Sequence, residues 1–318
     1  MWYREASILC RDMKTLLVTG ASGFLGRHFC APVMKGWRLV GTYHRHPYPL
    51  VTNADVPLIP LDLTCKDTVW KMLKSLKPAA VVHLAANSGT NHCEEKPDET
   101  AQLNVEATAD LAEMCADRHV KLIFTSSEQV FDGRKGTYRE SDPAEPANEY
   151  GRQKLAAESL VSAICPDGAI VRLAVLFGFR QTPDAAGCFL DQWLASWKNS
   201  VPVTAFRDEI RSFLSVDCAV RGIVRLLDMD ASGLFHLGGE VPMSRYDFAV
   251  LSKESFRLRH AVVLSRLQKE VIMAAYRPPD LSLDSGKLSD LGFRPEEPAH
   301  VLRRLAGIIR ADPPFLEN

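Results

Sequence analysis

The chain has 318 residues, with 38 Lys and Arg against 39 Asp and Glu and a formal charge of −1. That length can bury a full core, and the near balance of charge leaves no global field to gather nucleic acid or an anionic membrane, so neither is expected as a partner. Eight cysteines stand singly, without a C-x-x-C pair or a His/Cys cluster at ligand spacing, and no apolar run approaches the ~18 residues of a membrane span, so a soluble, cytoplasmic protein with reduced thiols and no metal is expected.

Residues 1–12 carry charges at positions 4, 5, 11 and 12, and Met13 immediately precedes the first β-prone run, so they read as an N-terminal extension. From Thr15 to Gly26 the sequence T-L-L-V-T-G-A-S-G-F-L-G is a short apolar strand, a turn with three glycines and the start of a helix with apolar spacing over Phe24–Met34. In such a turn one glycine makes the bend, one lets backbone approach a pyrophosphate, and one lets helix pack on strand. The implied ligand is a dinucleotide at the helix N-terminus, met by Gly20, Ser22, Gly23, Phe24, Leu25 and Gly26.

Arg38 to Tyr43 is the second strand of a βαβ unit. Its end reads Tyr43-His44-Arg45-His46, without the carboxylate that would bind a ribose 2′-hydroxyl. A cation there pairs with a 2′-phosphate, so His44 and Arg45 favour NADP(H) over NAD(H). Val56 to Leu61 is a third strand leading to Asp62 and Leu63, placed for an adenine contact, and Thr64 is expected to cap a helix that Pro78 closes.

Ala79 to Leu84 is a uniformly apolar fourth strand, as suits a parallel strand covered on both faces. It ends in the small residues Leu84-Ala85-Ala86, expected against the nucleotide, and in Ser88, expected toward substrate; His83 within the run reads as a satisfied core residue. A helix over Thr100–Arg118 contains Asn104, also assigned to the cofactor side. Val120 to Thr125 is the fifth strand, ending in Ser126-Ser127-Glu128-Gln129.

Tyr150 and Lys154 follow at the start of a helical run, four residues apart and so on one face. A phenol with a reference pKa near 10 trades protons near neutrality only beside a cation, which Lys154 supplies, while Ser127 can orient a substrate oxygen. Ser127, Tyr150 and Lys154 are the candidate catalytic set, with Tyr150 and Lys154 also touching the cofactor.

Taken together, T-G-A-S-G-F-L-G, H-L-A-A, L-N-V, S-S-E-Q-V-F-D-G, the acidic Pro-rich run Glu140–Glu149, Y-G-R-Q-K, V-R-L-A-V-L-F-G and R-P-P-D-L-S-L-D-S-G-K-L resemble the extended short-chain dehydrogenases/reductases, and within them the dTDP-4-dehydrorhamnose reductase branch. The resemblance covers nearly all of the chain from Met13 to about Ile309. It implies an α/β, Rossmann-type doubly wound parallel sheet over 13–176, with 212–238 returning to it. A smaller, interleaved C-terminal substrate lobe is implied over 177–211 and 239–318. Where the branch usually reads S-T-D-Y-V-F-D-G, this chain has Ser127, Glu128 and Gln129 in place of Thr, Asp and Tyr. Serine keeps the hydroxyl, but Gln129 has no basic group to serve the dehydration chemistry of related 4,6-dehydratases.

Past Gly178, the apolar positions Phe189, Trp193, Leu194 and Trp197 read as core, Asp217 as the cap of a helix over Cys218–Met229, and Gly233–Gly239 as the last strand. Arg211 and Arg277 are expected on a substrate diphosphate, with Glu128 and Gln129 beside the sugar. The implied activity is NADP(H)-dependent reduction of a nucleotide-linked 4-keto-sugar. A sugar-nucleotide 4-epimerase with tightly held NAD, a reductase of a non-sugar carbonyl, and a non-catalytic NADP-binding subunit like the regulatory subunit of methionine adenosyltransferase are the alternatives. A homodimer is left open.

Overall fold

In the computed structural model the described residues are 13–32, 34–46, 56–182 and 187–311; the extension expected over 1–12 lies outside them. The chain runs β1 (Lys14–Thr19), α1 (Phe24–Cys30), β2 (Trp37–Tyr43), β3 (Leu58–Pro60), α2 (Lys66–Leu76) and β4 (Ala80–His83). It continues through α3 (Thr90–Glu95), α4 (Pro97–Ala101), a π-helical turn (Gln102–Glu106), α5 (Ala107–Ala116), β5 (Lys121–Ser127), α6 (Glu149–Ile164) and β6 (Ala169–Leu173). The remainder comprises β7 (Leu176–Phe177), α7 (Phe189–Lys198), β8 (Val203–Phe206), β9 (Ile210–Arg211), β10 (Leu214–Ser215), α8 (Val216–Asp228), β11 (Gly233–Leu237), β12 (Met243–Ser244), α9 (Arg245–Ser255), β13 (Val263–Arg266), α10 (Gly286–Asp290) and α11 (Pro298–Ala311).

Seven strands form one parallel sheet in the order β11-β6-β5-β4-β1-β2-β3. The order reverses between β1 and β4, and in open α/β sheets the crevice beyond the carboxyl ends at such a reversal is where ligands bind. Alternate residues of each strand point to opposite faces. Leu16, Val18, Val82, Ile123 and Val171 therefore pack on one side with Phe29 of α1 and Ile223 and Leu226 of α8. Leu17, Val81, Leu122, Phe124 and Ile170 pack on the other with Leu73 of α2, Leu111 of α5 and Val161 of α6.

A third core joins Phe177, Leu190, Trp197, Val203, Phe213, Phe248 and Leu302. Phe189 and Trp193 pack edge to face within it, as Phe189 does on Phe248, so the aromatic run of α7 is core. Residues 239–308 divide between cores. Phe248 and Leu302 belong to the third, whereas Leu281, Leu283, Leu288 and Phe293 belong to the sheet's own core. Residues 278–284 are threaded into the sheet half: Asp280 N donates to Gly133 O (3.1 Å), Tyr138 N to Ser282 O (2.8 Å) and Asp284 N to Tyr138 O (2.8 Å).

Local details depart from the sequence reading for identifiable reasons. Thr64 does not cap α2: its backbone N and its hydroxyl both donate to Asp62 Oδ1 (3.0 and 2.7 Å), and Cys65 takes the flanking position. A left-handed Lys77 (φ 47°) ends the helix before Pro78. Ser215 rather than Asp217 caps α8, accepting from Cys218 N at 3.2 Å. The long helix expected over Thr100–Arg118 starts at Pro97 and is interrupted by the π turn, an insertion that often marks a functional site and here carries Asn104.

Among the described residues no helix is long and apolar enough to cross a membrane, and no group of His, Cys, Asp and Glu could hold a metal ion.

Candidate active site

The glycine turn closes the carboxyl end of β1, and its three glycines have separate physical reasons. Gly20 sits at φ +67°, and a Cβ there would lie 2.8 Å from the Ala85 backbone. A Cβ on Gly26 would lie 2.1 Å from Gly20 O, so only glycine lets α1 pack this close to the turn. Gly23 is different: the nearest protein atom to an added Cβ is Gly20 O at 3.2 Å, so its bareness leaves room on the cleft side. A cradle that one methyl group would fill, at the head of a helix, fits the backbone approach of a dinucleotide pyrophosphate.

This turn is one wall of a cleft of about 500 Å³ that runs over the carboxyl ends of the strands. Of the residues singled out in the sequence, Gly20, Gly23, Phe24, Leu25, Gly26, Leu84, Ala86, Ser88, Ser127, Glu128, Gln129, Tyr150, Lys154, Arg211 and Arg277 all line it. Asn104 stands behind the wall instead, accepting from Asn87 N (2.8 Å) and donating to Asn87 O (3.0 Å), which fixes the loop after β4. Ala85 backs the turn against Gly20, and Ser22 offers its carbonyl to Arg27 (3.2 Å). Leu63 is buried in the core around Leu73 and is not part of the cleft lining.

His44, Arg45 and Asp62 gather outside this cleft, beyond the ends of β2 and β3. His44 Nε2 lies 3.6 Å from Asp62 Oδ2, and the hydrogen bond from Thr64 holds the Asp62 carboxyl below its usual range, with His44 and Arg45 adding to the effect. His83 is the core histidine expected: its Nδ1 lies 2.6 Å from the Thr19 hydroxyl and its Nε2 3.1 Å from that of Thr108. Burial, with Lys154 nearby, pushes it down to about 3, so it is neutral.

The catalytic candidates meet because α6 docks its first turn on the end of β5. Asn148 caps α6 by accepting from Gly151 N (2.9 Å) and donates to Gln129 Oε1 (2.8 Å), while Ser127 Oγ accepts from Gln129 N (3.2 Å). A Cβ on Gly151 would come within 2.0 Å of Gln129 O, so the glycine after Tyr150 is what permits the contact. Burial pushes the Tyr150 phenol well above its ordinary value, with Cys93 and Glu128 adding to the rise, against a lowering hydrogen bond with Ser127. Burial moves Lys154 the other way, to about 7, and its ammonium lies 4.2 Å from the Phe124 ring centre. The phenol thus holds its proton, and the lysine stands near its midpoint at neutral pH.

The far wall is a buried ionic cluster. Glu128 Oε1 lies 3.2 Å from Arg211 Nε, and Glu128 Oε2 accepts from Val175 N at 3.2 Å; burial outweighs the arginine and pushes the carboxyl up to about 7. Arg211, expected to hold ligand, lines the cleft and is at the same time held by protein on every nitrogen. Nε faces Glu128, Nη1 donates to the carbonyls of Ile210 (2.6 Å) and Pro279 (3.3 Å), and Nη2 reaches Pro278 O (3.0 Å) and Glu209 Oε1 (3.3 Å). It ties Glu128 of the sheet half to Glu209 and the 278–279 segment from its place in the cleft wall.

Two neighbours on the same wall retain free donors. Arg245 Nε donates to Glu209 Oε1 (3.1 Å) and Arg277 Nη2 to Asn91 Oδ1 (2.9 Å), yet the buried Nη1 of each has no acceptor among the described residues. Arg245 was not legible as a site residue. It opens α9 immediately after the capping Ser244, and nothing in R-Y-D-F foretells that it turns into the cleft. Burial would raise the Glu209 carboxyl, but Arg245 and Arg211 outweigh it and hold it down. Three guanidiniums against two carboxylates leave this wall suited to an anion.

The RmlD substrate binding domain model matches residues 13–306. A probable low-salt glycan biosynthesis reductase, Agl14, of Haloferax volcanii is 32% identical over 273 residues, 84% of this chain and 88% of that protein. Methionine adenosyltransferase 2 subunit beta of Pongo abelii is 30% identical over 294 residues, covering 91% of this chain and 85% of that one. The crystal structure of a dTDP-4-dehydrorhamnose reductase from Clostridium acetobutylicum superimposes with a TM-score of 0.79 at 25% identity, covering 93% of this chain and 99% of its own.

Proposed function

Because the chain belongs to the RmlD substrate binding domain family of NAD(P)-dependent oxidoreductases, we propose that it reduces the keto group of a nucleotide-linked 4-keto-sugar, with NADPH preferred over NADH. The observation that carries this reading is the neutral Tyr150 phenol, docked beside Ser127 and sharing a buried helix face with Lys154. NADPH supplies the hydride when bound, to the carbonyl carbon. Tyr150 gives its proton to the carbonyl oxygen, so C=O becomes CH–OH, and Ser127 orients that oxygen by hydrogen bonding. Lys154 stabilises the phenolate left behind and, near its midpoint, can return a proton. Gly20, Gly23 and Gly26 would cradle the pyrophosphate, with Leu84 and Ala86 against the nucleotide.

Arg245 and Arg277 would take the substrate diphosphate through their free donors, since guanidinium pairs bidentately with phosphate oxygens. NADPH preference rests on His44 and Arg45 at the end of β2, where Asp62 already has one oxygen taken by Thr64. The test is consumption of NADPH with a panel of nucleotide-linked 4-keto-sugars. Tyr150→Phe should bind NADPH like the parent while turnover falls ~10²- to 10⁴-fold. Parental turnover in the Phe variant overturns the mechanism.

The 30% identity to a methionine adenosyltransferase subunit favours a second reading, a cofactor-binding regulatory subunit. A parent protein that binds NADPH but reduces none of the panel would support it.

A further inference from the structure

On α6 three ionisable residues follow one another at four-residue steps, Tyr150, Lys154 and Glu158, and all three are buried. They lie against the second half of β5. Tyr150 meets Ser127, Lys154 lies over the Phe124 ring, and the Ser126 hydroxyl donates to Glu158 Oε1. The reading above uses the first two and leaves Glu158 without a role.

Glu158 is held from behind by Arg172 of β6. Arg172 Nε donates to both carboxylate oxygens (3.0 and 3.2 Å), and Nη2 donates to Oε2 at 2.7 Å. The arginine is itself fixed, with Nη1 3.4 Å from His236 Nε2, whose other ring nitrogen lies 3.0 Å from Tyr138 O. Both partners of the pair are almost fully covered, at 5% and 6% side-chain exposure.

The remaining groups that face Lys154 carry no charge at neutral pH. Phe124 contributes a ring from β5, His83 on β4 is neutral, the Cys93 thiol of α3 is pushed up by burial, and Tyr150 is protonated. Among the described residues Glu158 is thus the anion acting on the lysine.

We propose that Glu158, anchored by Arg172 and Ser126, is a positioning residue for Lys154: it sets how firmly the lysine keeps its proton and so where the proton donor is recharged. The catalytic meaning of this pair rests on the reading of Lys154 above. Its electrostatic content does not, because Lys154 titrates in the ligand-free protein whatever the substrate is.

The test is a ¹³C-lysine NMR titration of the ligand-free chain, with the Lys154 signal identified by its loss in Lys154→Arg. The parent midpoint is expected near 7. Glu158→Gln should lower it by about one unit or more, the scale of a close opposite charge. Should that variant not fold, Glu158→Gln combined with Arg172→Met removes the pair without leaving an unpaired charge, and it should shift the midpoint in the same direction. Ser126→Ala keeps both charges and should leave the midpoint nearly unchanged. A parental midpoint in the folded glutamate variant, single or double, overturns the proposal. A shifted midpoint in a protein that reduces no keto-sugar overturns only the proposed function.

Discussion

Gly151 lies so close to the carbonyl of Gln129 that a single added methyl group would sit 2.0 Å from the oxygen. Backbone cannot yield there as a flexible side chain can, because Gln129 N is tied to Ser127 and the helix start to Asn148. Gly151→Ala should therefore lower stability by about 1–3 kcal/mol, the usual range for overpacking, and lower turnover beyond that by lifting Tyr150 from Ser127. Urea unfolding and steady-state rates on the same preparation check it. Parental values of both would show that α6 does not need this contact.

Arg211, Arg245 and Arg277 share a wall but should respond differently to mutation. Arg211→Met leaves Glu128 without an ion-pair partner in the interior, while Glu209 keeps Arg245, and should cost about 3–5 kcal/mol, visible in the urea midpoint without any ligand. Arg245→Ala and Arg277→Ala each remove an Nη1 donor that has no protein acceptor, and Glu209 keeps Arg211 when Arg245 is lost, so the fold should persist while nucleotide-sugars no longer raise the thermal midpoint. Retention of that ligand shift in both variants would rule out this wall as the diphosphate site.

Burial of Lys154 has a signature in stability. In the unfolded chain the amine titrates near 10.5, in the folded chain near 7, so between those values the unfolded state binds the extra proton. Stability from this group is therefore lowest at and below pH 7 and recovers as pH rises toward 10.5, by at most about 1.4 kcal/mol per pH unit. Lys154→Met removes that recovery. Urea midpoints of parent and variant at pH 7, 8 and 9 should diverge, and parallel curves would show that the lysine is not desolvated.

For the cofactor, Arg45→Ala should weaken NADPH by roughly 10- to 100-fold, the worth of one charged hydrogen bond, and leave NADH unchanged. Fluorescence titration of both cofactors measures it. Equal loss for both would assign Arg45 to the common part of the nucleotide.

The strands, the glycine turn and the Tyr150/Lys154 pair were legible because each is local: a strand, its turn and its helix lie within about a dozen residues, and Tyr150 and Lys154 share a face by periodicity alone. Tertiary partners were not. The protein contacts of Arg211 could not be foreseen because Glu128, Pro278 and Pro279 are 67 to 83 positions distant and two of the acceptors are carbonyls, which carry no sequence signal. Leu63 followed a strand end as a nucleotide contact would, yet α2 and β4 gave it a core to enter. The π turn escaped notice because helical spacing tolerates one extra residue, and only the hydrogen bonds of Asn104 reveal why it is there.

The threading of residues 278–284 through the sheet half bears on how such a protein can be re-engineered. A chimera that exchanges the small lobe for a relative's, in order to change sugar choice, is tempting to join at Gly239, where the last sheet strand has ended. That junction would import foreign residues opposite Gly133, Tyr138 and Arg211, three positions belonging to the recipient. An exchange should instead bring in only 239–276 and resume the native chain at Arg277. The graft then becomes a loop inserted into an unbroken nucleotide half, with both of its ends anchored by the recipient's own contacts.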